Sequence, residues 1–200
     1  MSQETPSRSV RVICPFAPIP PIGEAPAYPR PHPKTLEALR LYAPTAELID
    51  VSRSDTAYCE LLTRLWAEGK TFLIIEHDIE IYPNNQLTGG VVREAEWCPA
   101  MWCVWPFNGA GFSGEGDALL YGSLGCTLFS DKLMKLEPDL MTVAGAATGG
   151  LKPGDWRRMD VSIQPELRDR GYTQHFHDPV KHHKLYPFEG CACGDPECRP

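Results

Sequence analysis

Glu76, His77 and Asp78 follow directly on four apolar residues, Phe72, Leu73, Ile74 and Ile75. A continuous apolar run of this kind fits a central parallel strand covered on both faces. Ligands of open α/β sheets sit beyond the carboxyl ends of such strands. Two carboxylates two residues apart face the same way if extended structure continues. A divalent cation between them relieves their repulsion, and hard oxygen donors suit Mn2+ or Mg2+. Such an ion neutralises a diphosphate as it leaves. The plain alternative is a solvated pair in the turn before Pro83.

Histidines offer a third donor. In "YTQHFHDP" an extended chain puts His175 and His177 on one face, and neutral imidazole is a common metal ligand. Two histidines on an exposed strand face are otherwise ordinary polar surface. The segment "CACGDPEC" carries Cys191, Cys193 and Cys198. Three thiolates with His182 or His183, of which His183 is preferred, would make a structural Zn2+ site. The spacing C-x-C-x4-C is not a standard zinc ribbon, and a disordered or partly oxidised tail is the alternative. The other cysteines, Cys14, Cys59, Cys98, Cys103 and Cys126, sit in apolar or strand-like contexts and read as small buried hydrophobes in a reducing compartment.

The elements that must position these residues are legible in the first half. Residues 10–14 read as a short buried strand. Residues 15–33 hold eight prolines in nineteen positions, an extended connection rather than an element. Thr35 is expected to cap a helix to about Ala43, with Leu36, Leu39 and Tyr42 on one face. Residues 46–51 read as a strand. Ser54 or Asp55 would cap a helix to Glu68, with Tyr58, Leu61, Leu62, Leu65 and Trp66 at helical spacing and Gly69 at its end. The strand at 71–75 follows. This alternation predicts parallel α/β structure.

In the second half, residues 101–105 and 124–129 read as strands, and Ser130 caps a short helix stopped before Pro138. Residues 144–154 are glycine-rich and read as a loop. Residues 155–170 are expected to be partly helical, with Pro165 blurring the limits, and residues 172–177 form a last strand. No internal repeat is visible.

Composition narrows the classes. The chain has 200 residues, 42% of them apolar, enough for one good core. No apolar run reaches the roughly 18–20 residues of a membrane helix. The polar first nine residues lack the apolar stretch of a secretory signal. A cytoplasmic location is expected, the host cytoplasm for a phage-encoded chain. A net charge of -7 argues against broad nucleic-acid binding, which leaves a basic footprint. Lys181, His182, His183 and Lys184 still form a small basic cluster. Gly109, Gly111 and Gly114 match G-x-G-x-x-G, but "EGDALLYG" opens no convincing helix. No phosphate-loop lysine occurs, and neither Ser113 nor Ser123 fits a nucleophile elbow.

Between residues 9 and 184 the chain resembles nucleotide-sugar-dependent glycosyltransferases of the GT-A fold, most closely the small glycosyltransferase-like proteins of bacteria and their phages. Glu76-His77-Asp78 matches a D-x-D-like motif, with Glu as first acid and His in the middle. "LGCTLFS" at 124–130 resembles the strand and helix start after the acceptor loop. "WRRMD" resembles the stretch bearing the catalytic carboxylate, and "HFH" the late metal histidine.

The resemblance implies one α/β domain over 1–184, its mostly parallel central sheet flanked by helices. A nucleotide-binding half would span 9–83 and an acceptor half 84–184, before a cysteine-rich tail at 185–200. It implies a metal site of Asp78, Glu76 and His177 holding Mn2+ or Mg2+. Asp50 and His77 would lie on the donor side, Asp50 equally able to cap the next turn, and Trp156 and His175 would contact sugar or acceptor. Asp160 would be the base of a single displacement; in a retaining enzyme it would position the acceptor, and its plain role is helix capping. Trp102 and Trp105 fit core packing.

The partners so implied are a nucleoside-diphosphate sugar and an acceptor: a modified DNA base, a protein, a lipid or a glycan. Two rival readings use the same residues. One is a metal-dependent phosphoesterase or nuclease on Glu76, Asp78, His175 and His177. The other is a binding relative without turnover.

Overall fold

Phe72, Leu73, Ile74 and Ile75 are all buried, at 0–1% exposure, so the strand they form has to lie inside the sheet with cover on both sides. It does. The structure, a computed structural model, describes residues 7–17, 31–54, 56–81, 90–106, 124–147 and 157–183. Its elements are β1 (Arg11–Phe16), α1 (Pro33–Tyr42), β2 (Glu47–Asp50), α2 (Ala57–Glu68), β3 (Phe72–Ile75), β4 (Ile79–Glu80) and α3 (Gly90–Trp97) in the first half. Then come β5 (Trp102–Val104), β6 (Cys126–Phe129), α4 (Asp131–Leu136), α5 (Leu140–Ala147), α6 (Arg157–Asp169), β7 (His175–Phe176) and β8 (Lys181–His182).

The main sheet has the order β2-β1-β3-β6-β5-β7. β1 pairs in parallel with β2 and β3, and β5 with β7, while β6 runs antiparallel to both β3 and β5. Five of its strands therefore share one direction. The pleat divides each strand between two cores. Ile13, Phe72, Ile74, Trp102, Val104 and Phe129 pack with residues of α2, α4, α5 and α6. Val12, Cys14, Leu73, Ile75, Cys103, Trp105, Cys126 and Leu128 pack with α1 and α3. The fold is thus α/β, with a mostly parallel sheet between two helical layers.

α2 buries Tyr58, Leu61, Leu62, Leu65 and Trp66, the spacing expected of it, and ends at Gly69 with φ 63. Ser130 caps α4 by accepting from the Leu133 N–H at 3.2 Å. Trp102 and Trp105 are core residues, each 1% exposed. Elsewhere the structure corrects the sequence reading. α1 is capped by His32, whose Nδ1 accepts from the Lys34 N–H, and Pro33 takes the first helical position. Its buried face is Thr35, Ala38 and Leu39, while Leu36 and Tyr42 are exposed. α5 runs to Ala147, taking in residues 144–147 of the stretch expected to be a loop; residues 148–154 lie outside the described residues. A Cβ on Gly145 would stand 3.2 Å from Cys59 Sγ, so this glycine lets α5 approach α2. α3 and the pair β4–β8 were not anticipated. The proline-rich residues 18–30 and the glycine motif at 109–114 lie outside the described residues.

Candidate functional site

Because five strands share a direction, their carboxyl ends share one rim. Asp50 ends β2, Phe16 ends β1, residues 76–78 follow β3, Trp105 follows β5 and His177 follows β7. Backbone hydrogen bonds continue the sheet there: Val51 N to Phe16 O at 2.8 Å, Glu76 N to Gly125 O at 2.7 Å, Trp105 N to Cys126 O at 3.0 Å and His177 N to Val104 O at 3.0 Å. Asp50, Glu76, His77, Asp78 and His177 therefore occupy the place where open α/β sheets bind ligands.

Extended structure stops at Ile75, contrary to the geometry that would align Glu76 with Asp78. Residues 77 and 78 form a turn closed by Ile79 N donating to Glu76 O at 3.1 Å. The two carboxylates are then anchored on different elements. Tyr58 Oη, from α2, donates to Glu76 Oε1 at 3.0 Å. Asp78 Oδ2 faces His182 Nε2 of β8 at 3.0 Å. Burial, the largest single influence, works against the charge on Asp78, but the His182 hydrogen bond together with the nearby His182 and His77 rings outweighs it, and the carboxyl is held below its ordinary value. The ionised carboxylate accepts, so His182 Nε2 carries the proton.

The two-residue strands β4 and β8 fix this arrangement, pairing Ile79 with His182 and Glu80 with Lys181. His183 N donates to Asp78 O at 2.8 Å, and His32 N donates to His77 O at 2.7 Å. His183 is fully buried; its Nε2 lies 2.7 Å from Glu80 Oε2 and its ring stacks on His32, centroids 4.4 Å apart. Lys181 Nζ stands 3.7 Å from Glu80. His183, expected as a zinc ligand of the tail, is thus engaged by Glu80 and His32. Cys191, Cys193 and Cys198 lie outside the described residues.

His177 is not brought to Asp78. β6 and β5 stand between β3 and β7, three inter-strand steps or about 14 Å of backbone. Its ring stacks on Trp105, centroids 4.3 Å apart, and meets His175 edge-on at 4.8 Å. Among the described residues, the grouping able to surround an ion is Cys98, Cys103 and His177, with ligand atoms within 4.8 Å of one another. Sequence reading missed it. The available signal was the C-x4-C spacing of Cys98 and Cys103, set aside as packing.

Asp50 is exposed and accepts from the Ser52 N–H at 2.8 Å; the Ser52 hydroxyl first, and this N–H second, hold its carboxyl below the ordinary value. His175 is exposed on β7, the edge strand. Asp160 lies in α6, but its side chain is outside the described set, as is all of Trp156.

No protein-family model matches the sequence, and no curated protein matches it either. Among solved structures, the chain is similar to a glycosyltransferase involved in the glycosylation of the major capsid of PBCV-1. The two are 11% identical, with 85% of this chain and 82% of that one covered and a TM-score of 0.48. Among the described residues, no helix is long and apolar enough to cross a membrane.

Proposed function

We propose that the protein is a glycosyltransferase that moves a sugar from a nucleoside-diphosphate donor to an acceptor hydroxyl. The observation that supports this most is the convergence of Asp50, Glu76 and Asp78 on the carboxyl rim of β2, β1 and β3. Two inter-strand steps, about 10 Å, separate β2 from β3, a span that a nucleoside diphosphate can bridge. Asp50 and His77 serve the donor there.

The carboxylates at residues 76 and 78 are the donor type that a hard cation takes. They are two half-buried carboxylates, and Asp78 is held ionised. Glu76 and Asp78 would hold Mn2+ or Mg2+, which when bound supplies positive charge to the leaving diphosphate. His182 is a positioning residue. It fixes one oxygen of Asp78. Tyr58 does the same for Glu76. Asp160, on α6, takes the proton of the acceptor hydroxyl, or positions the acceptor if configuration is retained. Trp156 and His175 border the acceptor, which is a modified DNA base, a protein, a lipid or a glycan. The phosphoesterase reading needs Glu76, Asp78, His175 and His177 in one cluster, and the sheet order separates them.

A thermal-shift screen of nucleoside diphosphates and their sugars, with and without Mn2+, tests the reading. Ligand at about 100 times its dissociation constant adds about 2.7 kcal/mol of stability. Asp78→Ala should abolish the Mn2+-dependent part of the shift. An unchanged shift in that variant overturns the assignment. A shift without any transfer would make the protein a binding relative.

A further inference from the structure

We propose that Cys98, Cys103 and His177 form a zinc site that ties the α3–β5 connection to the edge strand β7. The site is built from both ends of a short chain reversal. Cys98 follows α3, its N–H still donating to Glu94 O at 2.8 Å. The chain then turns into β5, where Cys103 pairs with His175 of β7. Cys98 and Cys103 are buried, with Sγ atoms 2.8 Å apart. Arg8 clamps the reversal from outside, donating to the carbonyls of Ala95 and Ala100, each at 3.2 Å, and to that of Cys98.

His177 has the features of a ligand. Its ring is fixed flat on Trp105, planes 7° apart. Nδ1 lies 3.7 Å from Glu94 Oε2, which also accepts from Trp105 Nε1 at 2.7 Å. Nε2 is buried and has no hydrogen-bond partner among the described residues. A buried ring nitrogen without a partner costs free energy unless something binds it. Metal-bound histidines commonly have a carboxylate behind the second nitrogen; Glu94 stands on that side of the ring, 3.7 Å away and beyond direct hydrogen-bond distance.

Simple apolar packing does not account for two thiols in contact beside that nitrogen. Two sulfurs and an imidazole are soft and borderline donors, which select zinc over Mn2+ or Mg2+. Three protein donors leave one of zinc's four positions for water or a further donor. The site is separate from the Glu76–Asp78 rim, and its existence does not depend on glycosyl transfer.

The full chain carrying Cys191→Ser, Cys193→Ser and Cys198→Ser removes competing tail thiols. Stripped of metal and reduced, it should bind Co2+ with thiolate-to-cobalt charge-transfer absorption. Adding Cys98→Ser and Cys103→Ser should abolish that band. Glu94→Gln, which keeps an acceptor for Trp105, should weaken metal binding about 10–100-fold. If the double serine variant does not fold, X-ray absorption of the zinc-loaded tail variant decides: sulfur neighbours at about 2.3 Å support the site, and nitrogen and oxygen alone overturn it. Absence of the charge-transfer band, or a Cys98–Cys103 disulfide whose reduced form takes up no cobalt, also overturns it.

Discussion

Asp78 Oδ2 and His182 Nε2 stand 3.0 Å apart although 104 positions separate them in the chain. The contact sets which histidine serves the acidic rim. His182→Ala removes the donor that holds Asp78, and outer partners of this kind are worth about 10–100-fold in metal affinity. The Mn2+-dependent thermal shift of nucleoside diphosphate should require correspondingly more Mn2+ in His182→Ala. His177→Ala should leave its Mn2+ dependence where it is. Isothermal titration with Mn2+ in the presence of nucleotide checks both, and the reverse ranking would restore His177 to the site.

Burial and the neighbouring His183 push His32 down to about 4 from an ordinary 6.5, against the opposing pull of Asp78 and Glu80. The folded ring stays neutral where the unfolded one already takes a proton. Stability from this residue is therefore complete above about pH 6.5 and is lost as pH falls toward about 4. The loss amounts to about 3 kcal/mol. His32→Asn keeps an acceptor for the α1 cap and removes the titration. Urea unfolding between about pH 7 and pH 5 should show a shallower fall in stability for this variant than for the native chain.

Leu62 is fully buried on α2 against the sheet. Leu62→Ala should cost about 2–5 kcal/mol, lowering the urea midpoint. A loss below 1 kcal/mol would mean that α2 does not pack on the sheet as described.

Gly69 ends α2 at φ 63 and has nothing within 4 Å of where a Cβ would be. The cost of Gly69→Ala is then backbone strain alone, about 1–2 kcal/mol. Gly69→Asn, which tolerates this conformation, should lose less, and the two midpoints compared in one urea series test it.

The first half of the chain was readable because its cues are local. The apolar run at 72–75 and the periodic face of α2 depend on near neighbours in sequence, and Gly69 and Ser130 act where their chemistry places them. α1 was misread at its face because Thr35 is buried by packing that no periodicity reports, while Leu36 remains exposed. α5 was hidden by Gly145, whose small size serves close helix approach rather than a turn. β4 and β8 are two residues each, too short to carry a period. At the site, the acidic rim was visible as types at a strand end. Its partners Tyr58, His182 and His32 were not, since they arrive from distant segments. The same holds for His177, whose nearness to Cys98 and Cys103 follows from β7 pairing with β5.

The β4–β8 pairing also imposes an order on biosynthesis. Asp78 and Glu80 emerge from the ribosome roughly 100 residues before His182 and His183, a delay of about 5–20 s at about 5–20 residues per second. Until then the nascent rim exposes two acidic side chains beside an apolar strand, with its closing partner still untranslated.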